Sequence, residues 1–368
     1  MKVFLVLILT IHGLIHLMGF IKAFNLAPIE KLVKPISKPS GVFWLLSAIL
    51  FVISAGLIFF KIDSWWIFAA LGIPLSQILI FQGWSDAKFG TIANLIILIP
   101  VIVSGLNSLP TAYGNRYKTE VEKRLTPFTD TSVVSENDIR HLPAPVIKYL
   151  HFAGAVGKPK VHNFRAVFAG TMKRTMESSW MKISSQQYNF YDDPARLFYI
   201  DASLFGIPFD GLHLYLGEHA TMEIKVAALF TVADARGPKM DQGETVTMFN
   251  DMCLLAPATL IDKNIQWECI DSAMVKGTFT NRGQTISATL LFNEKGELVN
   301  FVSFDRFHSL DGITYSNYPW STPVRNYRDS GGRKVPNYGE AIWHMPQGSF
   351  SYARFDIIEI DYNLSEFK

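Results

Sequence analysis

Three groups of side chains in this 368-residue sequence have types and spacings that could do chemistry. The first is His12 and His16, within LTIHGLIHLMGF, four residues apart in an apolar run. A helix would put both imidazoles on one face, where such a pair could hold a metal ion or pass a proton. A metal would need ligands from other apolar segments. Those segments offer Gln77, Gln82, Asp86 and Asn94, with Ser47, Ser54 and Ser104. Only Asp86 is a hard ligand, and haem needs axial ligands on opposite sides, which neighbours on one helix cannot supply. The expectation is therefore no metal and no other cofactor. His12, His16, Gln82 and Asn94 read as polar contacts between helices, with His16 facing the Gln82–Asn94 level.

The second group, His213, Glu218 and His219, straddles a turn between strand-like segments and reads as a surface hairpin. The third is a scatter of acids and bases: Arg196, Asp210, Lys225, Glu244, Asp305, Arg306, Arg325 and Glu340. Arg196, Asp210 and Glu244 are the catalytic candidates if the chain is a hydrolase or isomerase. The same residues read equally as ion pairs on a sheet. No G-x-S-x-G elbow, H-E-x-x-H, phosphate-cradling glycine loop or dinucleotide fingerprint occurs.

The elements that must carry these residues differ sharply along the chain. Before residue 115 there are seven lysines, no arginine and three acids, Glu30, Asp63 and Asp86; after it come 27 basic and 29 acidic residues. That later balance is slightly acidic and excludes a nucleic-acid surface. Charge-free runs lie between Lys2 and Lys22, Lys38 and Lys61, Asp63 and Asp86, and Lys88 and Arg116. Each reaches the roughly 20 residues needed to cross a bilayer. Four transmembrane helices are expected at about 3–24, 41–60, 65–84 and 90–109. The resulting division is a membrane domain over 1–110, a polar linker over 111–134 and a soluble β-rich domain over 135–368. Lys22, Lys31, Lys34 and Lys38 cluster after the first span, which favours a soluble domain outside the cytoplasm. Cys253 and Cys269 leave two readings open, one disulfide or two thiols.

In the soluble part, Ser135 with Asp138 three residues on fits a capping-box start, and a second short helix is expected over about 145–153. From residue 162 the sequence turns strand-like, interrupted by GETVTMFNDMCLLAPATLI, whose spacing predicts a helix over about 243–260 disturbed by Pro257. NRG, NEKG and RDSGGRK mark hairpins, and the apolar phase changes between Ile357 and Ile358, which predicts a bulge. The expected fold is α+β: a four-helix transmembrane domain, then a mainly antiparallel sheet of ten or more strands. A sheet that large must curl into a half-barrel, with two or three helices covering its concave side.

The run PARLFYIDASLFGIPFDGLHLYLGEHATMEIKVAALFTVADARGP, followed by GETVTMFNDMCLLAPATLI and IQWE, resembles a family of uncharacterised bacterial proteins. That family is a domain of unknown function often fused to membrane helices, and the resemblance covers most of residues 135–363. It brings no assigned activity and no catalytic residues. The architecture is also loosely similar to periplasmic lipoprotein carriers and related lipid-binding half-barrels. The resemblance implies a multi-pass protein of the bacterial inner membrane. Aromatic residues and methionines crowd the first half of the sheet: Phe168, Tyr188, Phe190, Tyr199, Phe209 and Phe230, with Met172, Met176 and Met181. Phe198, Phe205, Tyr215, Met222 and Phe249 are the candidates for lining a site for a lipid or other apolar ligand. The alternatives are the hydrolase or isomerase above, and an accessory module that binds a protein in a membrane complex.

Overall fold

The computed structural model describes residues 2–127, 129–204 and 207–368, without the side chain of Leu204. It divides into two compact units, Met1–Ala112 and Tyr113–Lys368.

The first unit holds α1 (Lys2–Ala23), α2 (Lys38–Phe59), α3 (Trp65–Gln82), a single turn α4 (Trp84–Ala87), and α5 (Gly90–Asn107). The four long helices are each apolar and long enough to cross a membrane. α2 starts three residues before its expected position, because Ser37 caps it and Pro39 fits the first turn. Small residues let α1 and α2 approach closely. A Cβ added at Gly19 would lie 2.2 Å from the Trp44 ring, and one at Gly41 2.3 Å from the Ala23 Cβ. Leu9, Phe51, Ala69 and Ile97 meet between the four helices.

The second unit begins with α6 (Tyr113–Glu122), α7 (Glu136–Ile139) and α8 (Ala144–Phe152). The segment expected to be a linker therefore contains a helix, whose Tyr113, Tyr117 and Val121 are buried against the sheet. The capping box at Ser135 and Asp138 forms, but α7 lasts only one turn. Six strands follow: β1 (Asn163–Met172), β2 (Met181–Phe190), β3 (Ala195–Leu204), β4 (Ile207–Leu216), β5 (His219–Val226) and β6 (Phe230–Arg236). Next is α9 (Pro238–Leu255), with a 3-10 turn at Pro257–Ile261. α9 begins five residues before its expected start, because Gly237 turns the chain with φ +97° and Pro238 fits the first helical position.

The remaining strands are β7 (Ile265–Cys269), β8 (Met274–Asn281), β9 (Gln284–Phe292), β10 (Leu298–Ser303), β11 (Phe307–His308), β12 (Ser316–Asn317), β13 (Trp320–Ser321), β14 (Val324–Ser330), β15 (Arg333–Met345) and β16 (Gly348–Tyr362). One antiparallel sheet runs in the order β6-β5-β4-β3-β2-β1-β16-β15-β13-β10-β9-β8-β7, with β14 paired to β15. The hairpins at NRG and RDSGG turn on Arg282, Gly283, Gly331 and Gly332, all at positive φ. The expected bulge is present. Val167 pairs with Glu359 and Phe168 with Ile357, so Ile358 is left over and points outward.

α9 decides the shape of this unit. It joins the two sheet edges and touches β5 and β6 on one arm and β9, β10 and β15 on the other. The sheet must curl around it to do so, and every residue from Gly243 to Leu260 is buried. Phe249 stacks on Phe279 at 5.4 Å between ring centroids and meets Phe301 at 5.7 Å. Gly277 leaves the space, since a Cβ there would lie 2.7 Å from the Phe249 ring. Phe249→Ala empties this position and should cost about 3–5 kcal/mol. Denaturant unfolding of the full chain, read by amide exchange in β8 and β9, checks the value.

Candidate functional site

Alternation along the strands sends every second residue of β2, β3 and β4 towards α9. The registers align these residues in rows across the sheet. One row runs Phe355, Gly170, Ile183, Ala202, Phe209, Val226 and Phe230 over seven strands, and the next runs Ile357, Phe168, Ser185, Ile200, Gly211, Ile224 and Ala233. Both are apolar except for Ser185. The third row carries Gln187, Phe198, His213 and Met222, and the fourth Asn189, Arg196, Tyr215 and Ala220.

The last two rows are pinned to α9. Glu244 and Asp251 lie seven residues apart, two turns, on one helix face. Arg196 bridges them, with Nε donating to Asp251 Oδ2 at 2.7 Å and Nη1 to Glu244 Oε2 at 2.9 Å. Its Nη2 donates to Gln187 Oε1 at 3.2 Å. Gln187 and Asn189 donate their amide hydrogens to Asp251, at 2.7 and 3.1 Å. His213 Nδ1 lies 4.0 Å and Arg306 Nη2 3.7 Å from Glu244 Oε1. Arg306 also donates to the Thr247 hydroxyl and lies over the Trp320 ring. Tyr215 bonds Thr245 at 2.8 Å and accepts from Asn281 at 3.0 Å.

These environments shift the titrating groups in opposite directions. Burial disfavours a charged Glu244, but Arg196, with His213 and Arg306, outweighs it and holds the carboxyl well below its usual range. For Asp251 burial prevails over Arg196 and the amide bonds, and its carboxyl is pushed up. Burial pushes the His213 imidazole down despite Glu244 beside it.

The expected catalytic set does not assemble. Arg196 and Glu244 come together, but Asp210 pairs with Asp201 on the opposite sheet face, where it accepts from Tyr199 Oη at 2.9 Å. The remaining pair is a closed clamp: the guanidinium and both carboxylates are committed to each other and to neighbouring amides. His213, expected in a surface hairpin, instead lies inside the half-barrel, while His219 stands exposed at the Gly217–Glu218 turn. Asp251, Gln187 and Asn189 were not among the sequence candidates. Asp251 carried one usable signal, its two-turn spacing from Glu244 on the expected helix.

Of the apolar candidates, Phe249 and Tyr215 are fully enclosed and belong to the core. Phe198 packs between the Arg196 guanidinium, Phe168 and Phe355. Met222 is half-buried in the third row. Phe205 lies outside the described residues. Cys253 is buried on α9, Cys269 is exposed on β7, and both thiols are free.

In the first unit, His12 Nε2 donates to Asn94 Oδ1 at 2.9 Å, and His16 Nδ1 donates to the His12 carbonyl at 2.8 Å. His16 Nε2 meets Ser76 Oγ at 2.9 Å, and Asn94 Nδ2 donates to Ser76 and to Gln77, both at 3.0 Å. The network closes with one proton on each ring. The expectation that His16 faces Gln82 and Asn94 is corrected. His12 meets Asn94, His16 meets Ser76, and Gln82 accepts from Ser40 instead. Ser76 precedes Gln82 by six residues, about 9 Å along a helix, which sets the histidines deeper than the helix end. Among the described residues no three His, Cys, Asp or Glu side chains are placed to share a metal ion.

Fold and site together define a half-barrel domain wrapped around a polar, clamped helix and preceded by four apolar helices. The chain belongs to the family of unknown function DUF6544, whose sequence profile matches residues 132–355. A comparison with curated proteins gave no match. Among solved structures, a LolA superfamily protein from Nitrosomonas europaea shows 11% identity over 61% of this chain and 94% of its own, with TM-score 0.36. A putative outer membrane lipoprotein-sorting protein domain from Vibrio parahaemolyticus shows 12% identity over 54% and 85%, with TM-score 0.32. A DUF1329 family protein from Desulfovibrio piger shows 11% identity over 61% and 94%, with TM-score 0.35. Likenesses this distant say nothing about what the present chain binds.

Two tests follow from the clamp. Arg196→Met strands two buried carboxylates and should cost about 3–5 kcal/mol. Adding Glu244→Gln and Asp251→Asn should restore most of the loss, as measured by denaturant unfolding of all three variants. The second test uses His213, which resists in the fold the proton that the unfolded chain takes up below its ordinary value of 6.5. Stability therefore falls as pH drops through that value, by at most about 1.4 kcal/mol per pH unit for this group. His308, also pushed down by burial, adds a slope of the same sign. His213→Gln should accordingly flatten the acid limb without abolishing it, as read by amide exchange in β3 and β4 between pH 5 and 7.

Proposed function

We propose that this chain is a membrane-anchored binding module that holds a lipid or other apolar ligand against the inner face of its half-barrel. The observation that carries the reading is the pair of apolar rows from Phe355 to Phe230 and from Phe168 to Ala233. They extend past the part of the sheet tied to α9, and Phe209, Ile224, Val226 and Phe355 among them stay half-buried. A continuous strip of partly exposed apolar side chains inside a curved sheet favours an apolar occupant. The excursion between β10 and β13 runs beside this strip. Arg174 donates to the Leu310 carbonyl, and Gly312 packs against Ala235.

The anchoring half of the proposal is supported by α1, α2, α3 and α5, which are apolar all round, with large apolar side chains such as Leu7, Ile49, Leu71 and Ile99 facing outward. The lysines of the α1–α2 connection favour a cytoplasmic location for that segment. On this reading the half-barrel lies on the outer side of a bacterial inner membrane.

Gly211 is the gap in the second row, where an added Cβ would meet Ile200 at an ordinary contact distance of 3.4 Å. Gly211→Phe should fill the strip and reduce co-purifying lipid at least about tenfold, a loss of ~1.4 kcal/mol or more in affinity. Native mass spectrometry of the full chain after mild detergent extraction measures it. An unchanged lipid load, or none in the parent protein, would refute the ligand reading.

A further inference from the structure

The turns that close antiparallel hairpins are normally made of Asn, Asp and Gly, which tolerate positive φ and face water. One end of the β2–β6 arm follows this rule: Asp192 and Asp193 join β2 to β3, and Gly217 and Glu218 join β4 to β5. At the opposite end the β5–β6 turn departs from it. Ala227 and Ala228 join β5 to β6 with φ of 52° and 58°, a conformation that costs a side chain about 1–2 kcal/mol per residue. Beside them Leu229, Phe230 and Val232 are 50, 67 and 50% exposed, and Ile207, the first residue of the neighbouring β4, is 49% exposed. At the β5–β6 turn apolar side chains thus stand where good turn formers are usual.

That end is also where the chain arrives from the apolar helices. Tyr113, the first residue of α6, lies under the Lys225 ammonium at 4.4 Å and hydrogen-bonds Thr231, both next to the β5–β6 turn. Only residues 108–112 separate it from Asn107 at the end of α5. Five residues span about 20 Å at most.

We propose that the β5–β6 hairpin tip lies in the interfacial layer of the bilayer, with Leu229, Phe230 and Val232, and Ile207 at the start of the neighbouring β4, at the acyl boundary. The inference rests on the membrane-anchored reading of the four apolar helices and is independent of whether the half-barrel holds a ligand. It gives the unfavourable Ala-Ala turn a physical reason, because an Asn-Gly tip would carry its polar groups into lipid. Burial of this kind reaches about 5–10 Å below the headgroups.

The test uses the full chain in phosphatidylcholine–phosphatidylglycerol nanodiscs. Cys269→Ser removes the exposed thiol and Cys253 is buried, so Leu229→Cys can be labelled with a nitrobenzoxadiazole fluorophore, with Glu218→Cys at the opposite end as control. Doxyl-labelled phospholipid should quench the probe at 229 at least about threefold more than at 218, and aqueous iodide should show the reverse order. Equal quenching at both sites, in chain retained by the discs, overturns the tip proposal and leaves anchoring intact. Shielding at 229 that vanishes at one chain per disc means a second copy covers the tip, which also overturns it. Failure of the chain to enter discs overturns the anchored reading and this proposal with it.

Discussion

A helix that carries Asp241, Glu244, Thr245, Thr247, Asn250 and Asp251 can be buried only if the surrounding sheet answers each polar group. The bridge from Arg196 to Glu244 and Asp251 is the centre of that answer. With it in place, α9 can run between the two arms of the sheet, and the sheet can close around it. Without it, Asp251 would sit in a low-dielectric interior with no counter-charge and Glu244 would keep only the more distant Arg306. The half-barrel depends on this clamp, because among the described residues no other element touches both arms so extensively.

The clamp also partitions the inner face. Rows containing Gln187, Asn189, Arg196 and Tyr215 are used up by α9. The rows containing Phe168, Ile200, Phe209 and Ile224 hold a single polar side chain, Ser185. Part of the other face of these strands is apolar too, where Tyr188, Leu197, Leu212 and Leu214 pack against Tyr117 and Val121 of α6. β2 to β4 are therefore covered on both sides near α9, and Ile207, Leu229 and Phe230 are left exposed farther along the arm.

The first unit solves a smaller version of the same problem. Its histidines are polar groups among apolar helices, and they persist because Ser76 and Asn94 complete their hydrogen bonds, Asn94 being held in turn by Gln77. Close contact through Gly19 and Gly41 brings α1 against α2.

Much of this was legible from local sequence, and for local reasons. Charge-free runs of helical length, Ser135 with Asp138, NRG, RDSGG and the phase change at Ile357–Ile358 all act within a few residues, so the four apolar helices, the capping box, the hairpins and the bulge could be read directly. So could the α+β half-barrel, because a long antiparallel sheet has to curl. The helix in Tyr113–Glu122 was not legible, because its polar composition hides the three side chains that pack on the sheet. Nor was the makeup of the clamp. Arg196 and Asp251 are 55 positions apart, and they meet only because α9 crosses from one sheet edge to the other. Asp210 shows the same limit. The pairing of Arg196 with Tyr215 puts the odd-numbered residues of β4 towards α9, and a shift of one residue would have reversed every face. Sequence determined which segments become helix, strand or turn, since those are short-range choices. Tertiary structure alone decided which side chains meet, since register and closure are set by contacts between segments that local pattern does not link.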